Sequence, residues 1–118
     1  MYLDQFFDDP IEVILALSSD EKKVNKYQLQ LNVNYRGMEC DIHTLSGGEK
    51  DRVIVAGTLA LCEIVNSPLV MLDESIRSLD AETVNNVVQV LNKFDERMVL
   101  LISHQVVSGV FNSTLEIK

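Results

Sequence analysis

The sequence predicts an α/β fold in which a β-hairpin leads into a helix and parallel strands then alternate with helices. Three observations carry this reading. Tyr27, Leu29, Leu31, Val33 and Tyr35 alternate with Gln28, Gln30, Asn32 and Asn34, which is the period of two of a half-exposed strand. Residues 45–66 form one helical run that opens on a capping sequence. Two short apolar runs, 69–72 and 98–102, end in polar residues and flank a second helical pattern, as buried strands of a parallel sheet do.

Taken in order, residues 1–7 are short and mixed. Residues 10–17 carry Ile11, Val13, Ile14, Leu15, Ala16 and Leu17, a run that suits a buried strand or a short helix, and the leading Pro10 suits either. Residues 18–26 are a polar connection. Arg36-Gly37 forms a turn after the alternating strand, and residues 38–43 return as the second arm. Ser46 is the N-cap of the next helix, and Glu49, three residues on, completes a capping box. Beyond the charged first turn, Val53, Val55, Ala56, Leu59, Ala60, Leu61 and Ile64 form a broad apolar surface, so the helix is expected to be mostly buried. Asn66-Ser67-Pro68 ends it. Residues 69–72 then read as a central strand closed by Asp73-Glu74. Residues 75–79 are a loop, and Asp80 caps a second helix in which Val84, Val87, Val88, Leu91 and Phe94 share a face. A turn at 95–97 precedes a second buried strand, which ends at Ser103-His104. Residues 105–110 suit a short helical link, and 114–117 a last weak strand.

At 118 residues the chain is expected to be one lobe, with the strands and hairpin in 1–44 and the remainder in 45–118. An apolar content of 47% fits a globular protein, and no segment is long enough to span a bilayer. Asp4, Asp8 and Asp9 stand where a secretion signal would be basic. An intracellular setting, cytoplasm or nucleus, is therefore expected. Ten basic against eighteen acidic residues give a net charge of −8, which opposes direct contact with a nucleic-acid backbone. DNA, if involved, would be held mainly by other parts of an assembly. Cys40 and Cys62 are too few for a disulfide framework. Cys40 and His43 are spaced like half a zinc site, but no second pair completes it.

The chemistry concentrates at two places. At Ser46-Gly47-Gly48 the glycines let a ligand approach the backbone, and the free N–H groups and helix dipole favour an anion such as phosphate; an ordinary helix start uses the same residues. If the strands before Asp73-Glu74 and Ser103-His104 are adjacent and parallel, these groups meet at one sheet edge. An aspartate there can hold Mg²⁺. A glutamate can orient or deprotonate water, and a histidine can hydrogen-bond a terminal phosphoryl oxygen. Together these are the parts of phosphoryl transfer to water. Taken singly, each is also an ordinary solvated turn or loop.

Leu45-Ser46-Gly47-Gly48-Glu49 resembles the signature motif of the ABC ATPase superfamily. Residues 69–74 resemble its Walker B strand, Ser78-Leu79-Asp80 its D-loop, and His104 its switch histidine. Order and spacing agree, and the resemblance covers roughly the last three-quarters of the chain. It implies the carboxy-terminal lobe of an ABC ATPase head that uses ATP and Mg²⁺. Asp73 would position the metal, Glu74 would be the catalytic base, and His104 would sense the γ-phosphate. Ser46, Gly47 and Gly48, with Glu49 beside them, would contact ATP held by an opposite head, and Asp80 would work across the same interface.

Glu49-Lys50 after the glycines, and a hairpin running directly into the signature, resemble the SMC and double-strand-break-repair branch more than the transporters. In that branch residues 1–7 would be the last turn of a returning coiled coil. Ser75-Ile76-Arg77 departs from the commoner wording after Walker B. No G-x-x-x-x-G-K-[ST] phosphate loop occurs in the sequence, so the lobe is expected to be inactive alone and to need an N-terminal lobe that carries one. The resemblance further implies ATP sandwiched between two heads, driving their association in DNA repair or chromosome organisation, with a nuclease as a candidate partner and no membrane. The alternatives are the nucleotide-binding domain of an ABC transporter and a non-catalytic regulatory interaction module.

Overall fold

The computed structural model describes residues 2–19, 27–94, 96–104 and 111–117. A short helix, α1 (Tyr2–Phe6), leads into β1 (Ile11–Ser19), so the open choice at residues 10–17 resolves as a strand. β1 runs antiparallel to β2 (Tyr27–Tyr35) along its whole length, with Ile11 opposite Tyr35 and Ser19 opposite Tyr27. Arg36 and Gly37 have φ of 55° and 77°, positive at both central positions as a type I′ hairpin turn requires. The chain thereby returns as β3 (Met38–Asp41), and the sheet order is β1-β2-β3. The second arm is shorter than expected. Asp41 Oδ1 accepts the His43 N–H at 2.8 Å and starts one 3₁₀ turn, Ile42–Thr44, which ends the pairing.

Helix α2 (Gly47–Ile64) begins where the capping sequence places it. It ends as Asn66 turns left-handed with φ 50°, a conformation asparagine tolerates better than most residues. Strand β4 (Leu69–Asp73) pairs in parallel with β5 (Met98–Ile102), Leu69 opposite Met98 and Asp73 opposite Ile102. Between them lies α3 (Ala81–Leu91). Its buried residues include Val87, Val88 and Leu91 as the spacing predicts, with Thr83 and Val90 in addition. Phe94 lies past the helix end and stacks on Tyr2, ring centroids 6.2 Å apart. The Tyr2 hydroxyl donates to the Glu63 carboxylate, and burial and that carboxylate push its pKa up. Through Tyr2, α1 is tied to the last turn of α2 and to the chain just past α3.

One core joins these parts. Phe6 and Phe7, Val33 of β2, Leu45, Val53, Val55, Ala56 and Leu59 of α2, Val70 and Leu72 of β4, Ile76, Leu79, and Val87, Val90 and Leu91 of α3 pack as a single cluster. It covers only one side of each sheet. Val70 and Leu72 are buried, but Leu69, Met71, Met98, Leu100 and Ile102 on the other face of β4–β5 are exposed, Met71 at 53%. Among the described residues β4 has one neighbouring strand, so it is not the centrally paired, doubly covered strand that its composition suggests. On β1–β2, Val33 is buried while Leu15, Leu17, Tyr27, Leu29 and Leu31 remain exposed. Helix α2 likewise buries one face, leaving Ile54, Leu61 and Ile64 open, Ile64 at 78%; it is not mostly buried. The Cα radius of gyration is 16.3 Å, against roughly 13–14 Å for a closed domain of this length.

The weak strand expected at 114–117 does not form, and Leu115 and Ile117 are exposed without regular structure. The expected polar connection at 20–26, residue 95 of the turn, and the helical link at 105–110 lie outside the described residues.

Candidate functional site

The start of α2 is built by its own sequence. Ser46 sits in an extended conformation and its Oγ accepts the Glu49 N–H at 3.2 Å, while Glu49 Oε2 accepts the Ser46 N–H at 2.8 Å. Both halves of the capping box are therefore present. The Ser46 backbone N–H holds the Glu49 carboxyl below the usual carboxylate pKa, against some opposing burial. A Cβ on Gly48 would lie 2.9 Å from the Ser78 carbonyl oxygen. Glycine is needed there because the loop carrying Ser78 crosses directly over the helix start.

Two further contacts fasten that loop. The Ser78 N–H donates to Asp51 Oδ2 at 3.3 Å, and Arg52 Nη2 meets Asp80 Oδ2 at 2.6 Å. The other Asp80 oxygen, Oδ1, accepts the Thr83 N–H at 2.7 Å as the N-cap of α3. Asp80 is held below the usual carboxylate pKa first by that backbone N–H, then by the Thr83 side chain, and to a smaller extent by Arg52. The Arg52 guanidinium also lies over the Phe7 ring, 5.5 Å from its centroid. Ser46, Gly48, Ser78 and Asp80 are thereby drawn into one corner.

The second cluster forms at the carboxy ends of β4 and β5. Parallel pairing sets Asp73 opposite Ile102, and the Glu74 N–H donates to the Ile102 carbonyl at 2.9 Å. Glu74 has φ 52°, the left-handed region that a non-glycine residue enters at a cost in energy. This redirects the chain just past the strand. His104 Nε2 then lies 2.5 Å from Glu74 Oε1. A carboxylate only accepts, so Nε2 carries the proton in that contact. Glu74, Arg77, Ser103 and His104 line one small pocket.

Asp73 is exposed beside this pair. Among the described residues no group of three or more His, Cys, Asp or Glu is placed to hold a metal. A lone carboxylate suits Mg²⁺, which keeps waters and phosphate oxygens as its other ligands, and does not suit a site built wholly from protein.

The structure thus brings Glu74 and His104 into contact, places Asp73 next to them, and gathers Ser46, Gly47, Gly48, Glu49 and Asp80 around the 75–80 loop at the α2 start. Residues that the sequence reading passed over are Arg52, Ser78 as the partner of Gly48, and Arg77. Arg52 lies in the second turn of α2, on the side facing Asp80, but a pairing across 28 positions leaves no local signal. Among the described residues, no helix is long and apolar enough to cross a membrane.

No family model matches the chain. It is 34% identical over 118 residues to the uncharacterized protein 094L of Invertebrate iridescent virus 3, covering 96% of this chain and 14% of that one. It is 37% identical over 107 residues to a probable ATP-dependent permease of Saccharomyces cerevisiae, covering 81% of this chain and 10% of the permease. The chain therefore spans only a small part of the curated relatives it matches. Among solved structures, an SMC head bound to the C-terminal winged-helix domain of ScpA superposes with a TM-score of 0.67 at 18% identity, over 88% of this chain and 32% of that one. A structure from a study of ATP-driven dimerization and DNA-stimulated activation of SMC ATPases superposes with a TM-score of 0.60 at 21% identity, over 82% and 58%. The chain carries the fold of a lobe of an ABC-type ATPase head.

Proposed function

We propose that the chain is the carboxy-terminal half of an ATP-hydrolysing head in an SMC-like DNA-repair or chromosome-organising ATPase. The observation that carries this reading is the open apolar face of β4–β5, which leads directly to the Glu74–His104 pair. A head whose catalytic edge stands on a half-covered sheet calls for a second layer, and the absence of a phosphate loop says what that layer must bring. The N-terminal lobe would cover Leu69, Met71, Met98, Leu100 and Ile102 and cradle the phosphates. The 118 residues then act as one lobe, and that lobe is inactive alone.

In the assembled head, Glu74 takes a proton from the attacking water, and His104 holds Glu74 and faces the terminal phosphoryl group. Asp73 would supply one carboxylate oxygen to Mg²⁺, and the ion would offset charge on the phosphate oxygens. The α2 start, with Ser46, Gly47, Gly48 and Glu49, offers N–H groups and a positive dipole end to ATP on an opposite head, and Asp80 lies at the same interface. Each nucleotide would touch both heads, so it favours the closed pair. ATP-driven dimerization in the superposing SMC ATPases supports this. The chain's net charge of −8 fits DNA gripped by other parts of the assembly, and a nuclease is a candidate partner on the family resemblance.

A transporter ATPase is the second reading, favoured by the permease match. The three-stranded antiparallel sheet feeding α2 and the Glu49-Lys50 pair weigh against it. The test is Glu74→Gln in the head reassembled with its phosphate-loop lobe. Turnover should fall at least about 100-fold while ATP-dependent head association persists. Hydrolysis near the parent rate would remove Glu74 from the base role.

A further inference from the structure

We propose that Arg77 is a further phosphate-binding residue of this site, donating to the terminal phosphoryl oxygens of the nucleotide on which Glu74 acts. The inference rests on the ATPase reading above and adds a residue which the motifs leave unassigned.

Arg77 lines the same pocket as Glu74, Ser103 and His104. Its backbone is fixed there. The Arg77 N–H donates to the Glu74 carbonyl at 3.1 Å, and the Leu79 N–H donates to Ile76 at 3.2 Å. Ile76 and Leu79 on either side are buried in the core. The turn that redirects the chain at Glu74 therefore also sets where the Arg77 side chain starts, and that side chain is exposed.

The charge balance shows why a cation is needed. Asp73 and Glu74 are adjacent at the strand end, in a chain of net charge −8. A triphosphate brought against two carboxylates is repelled unless fixed positive charge stands close by. Within the pocket lining, His104 has its Nε2 committed to Glu74 at 2.5 Å. Arg77 is the lining residue that is charged at every working pH. Its planar fork suits two phosphoryl oxygens at once, and those oxygens carry the charge that must be met in phosphoryl transfer.

The test uses the full ATPase with its phosphate-loop lobe, in a Glu74→Gln background that stops turnover, with ATP and ADP affinities measured calorimetrically in Mg²⁺. Arg77→Ala should weaken ATP by about 10–100-fold and ADP by less than about threefold, because ADP lacks the group that Arg77 touches. Arg77→Lys should recover part of the ATP affinity by keeping the charge without the fork. Equal weakening of both nucleotides would make Arg77 a structural neighbour of Glu74, and unchanged ATP affinity would remove it from the site; either result overturns the proposal. If the Glu74→Gln head with Arg77 intact binds neither nucleotide, the ATPase reading itself fails.

Discussion

The two ends of the 74–80 segment are built differently. At Asp80 the chain meets the α2 start through closed contacts: Gly48 against the Ser78 carbonyl, Asp51 on the Ser78 N–H, and Arg52 on Asp80 with Phe7 behind it. At Glu74 the chain has a left-handed residue, an exposed histidine and an uncovered apolar sheet face. The α2 start is preorganised by this chain alone, whereas the end proposed as hydrolytic has Glu74 and His104 in contact but beside an uncovered sheet face. Electrostatic catalysis needs a dry, fixed environment. On the proposed function, the difference locates what a second lobe would add.

Substitutions at the two ends should separate activity from stability. Glu74→Gln, which on the proposed function removes turnover, should leave unfolding free energy within about 0.5 kcal/mol of the parent, because the side chain is partly exposed and outside the core. At the other end, Gly48→Ala forces a methyl to within 2.9 Å of the Ser78 carbonyl. It should cost about 1–3 kcal/mol in denaturant unfolding of the assembled head and shift the Asp80 loop. If Gly48→Ala is as stable as the parent, the corner is looser than its contacts indicate.

Arg52→Ala removes an ion pair whose side chains are 21% and 55% exposed, together with the Phe7 contact. A loss of about 1 kcal/mol is expected. Double-mutant cycles with Asp80→Asn and Phe7→Leu would apportion it, and additivity in both would remove Arg52 as a link between α1 and the loop.

The smallest effect is set by pH. Glu49 and Asp80 have folded-state pKa values below their ordinary ones because each carboxylate accepts backbone N–H groups. Their contribution is fully present above the unfolded-state carboxylate range, near pH 4, and is lost as pH falls through the lower folded values. Ser46→Ala, expected to cost about 1 kcal/mol, keeps the backbone N–H that lowers the Glu49 pKa and should leave most of this acid limb in place, whereas Glu49→Gln should flatten the part that Glu49 supplies. An unchanged acid limb in Glu49→Gln would show that the Ser46 N–H contact with Glu49 does not contribute to acid stability.

Where side chains act on their own backbone, the sequence was sufficient. The Ser46–Glu49 box, the Asp80 cap, the Arg36-Gly37 turn and the alternation of Tyr27–Tyr35 each depend on neighbours within four residues, so identity and spacing carry the information. Burial was legible only as a pattern. Leu69, Met71, Leu61 and Ile64 are as apolar as the residues that do pack, and nothing local says which face finds a partner. The failed strand at 114–117 has the same cause, since a strand exists only where another strand pairs with it.

The sequence by itself therefore determined where β2, α2, β4, α3 and β5 start and which chemical groups stand at the ends of β4 and β5. Tertiary structure alone decided that Glu74 meets His104, through a parallel register placing Asp73 opposite Ile102. It also decided that Arg52 reaches Asp80 and that Gly48 lies under Ser78. Caps and turns are settled by interactions a few residues long, while these contacts depend on how strands and helices separated by about 30 positions are placed by one shared core.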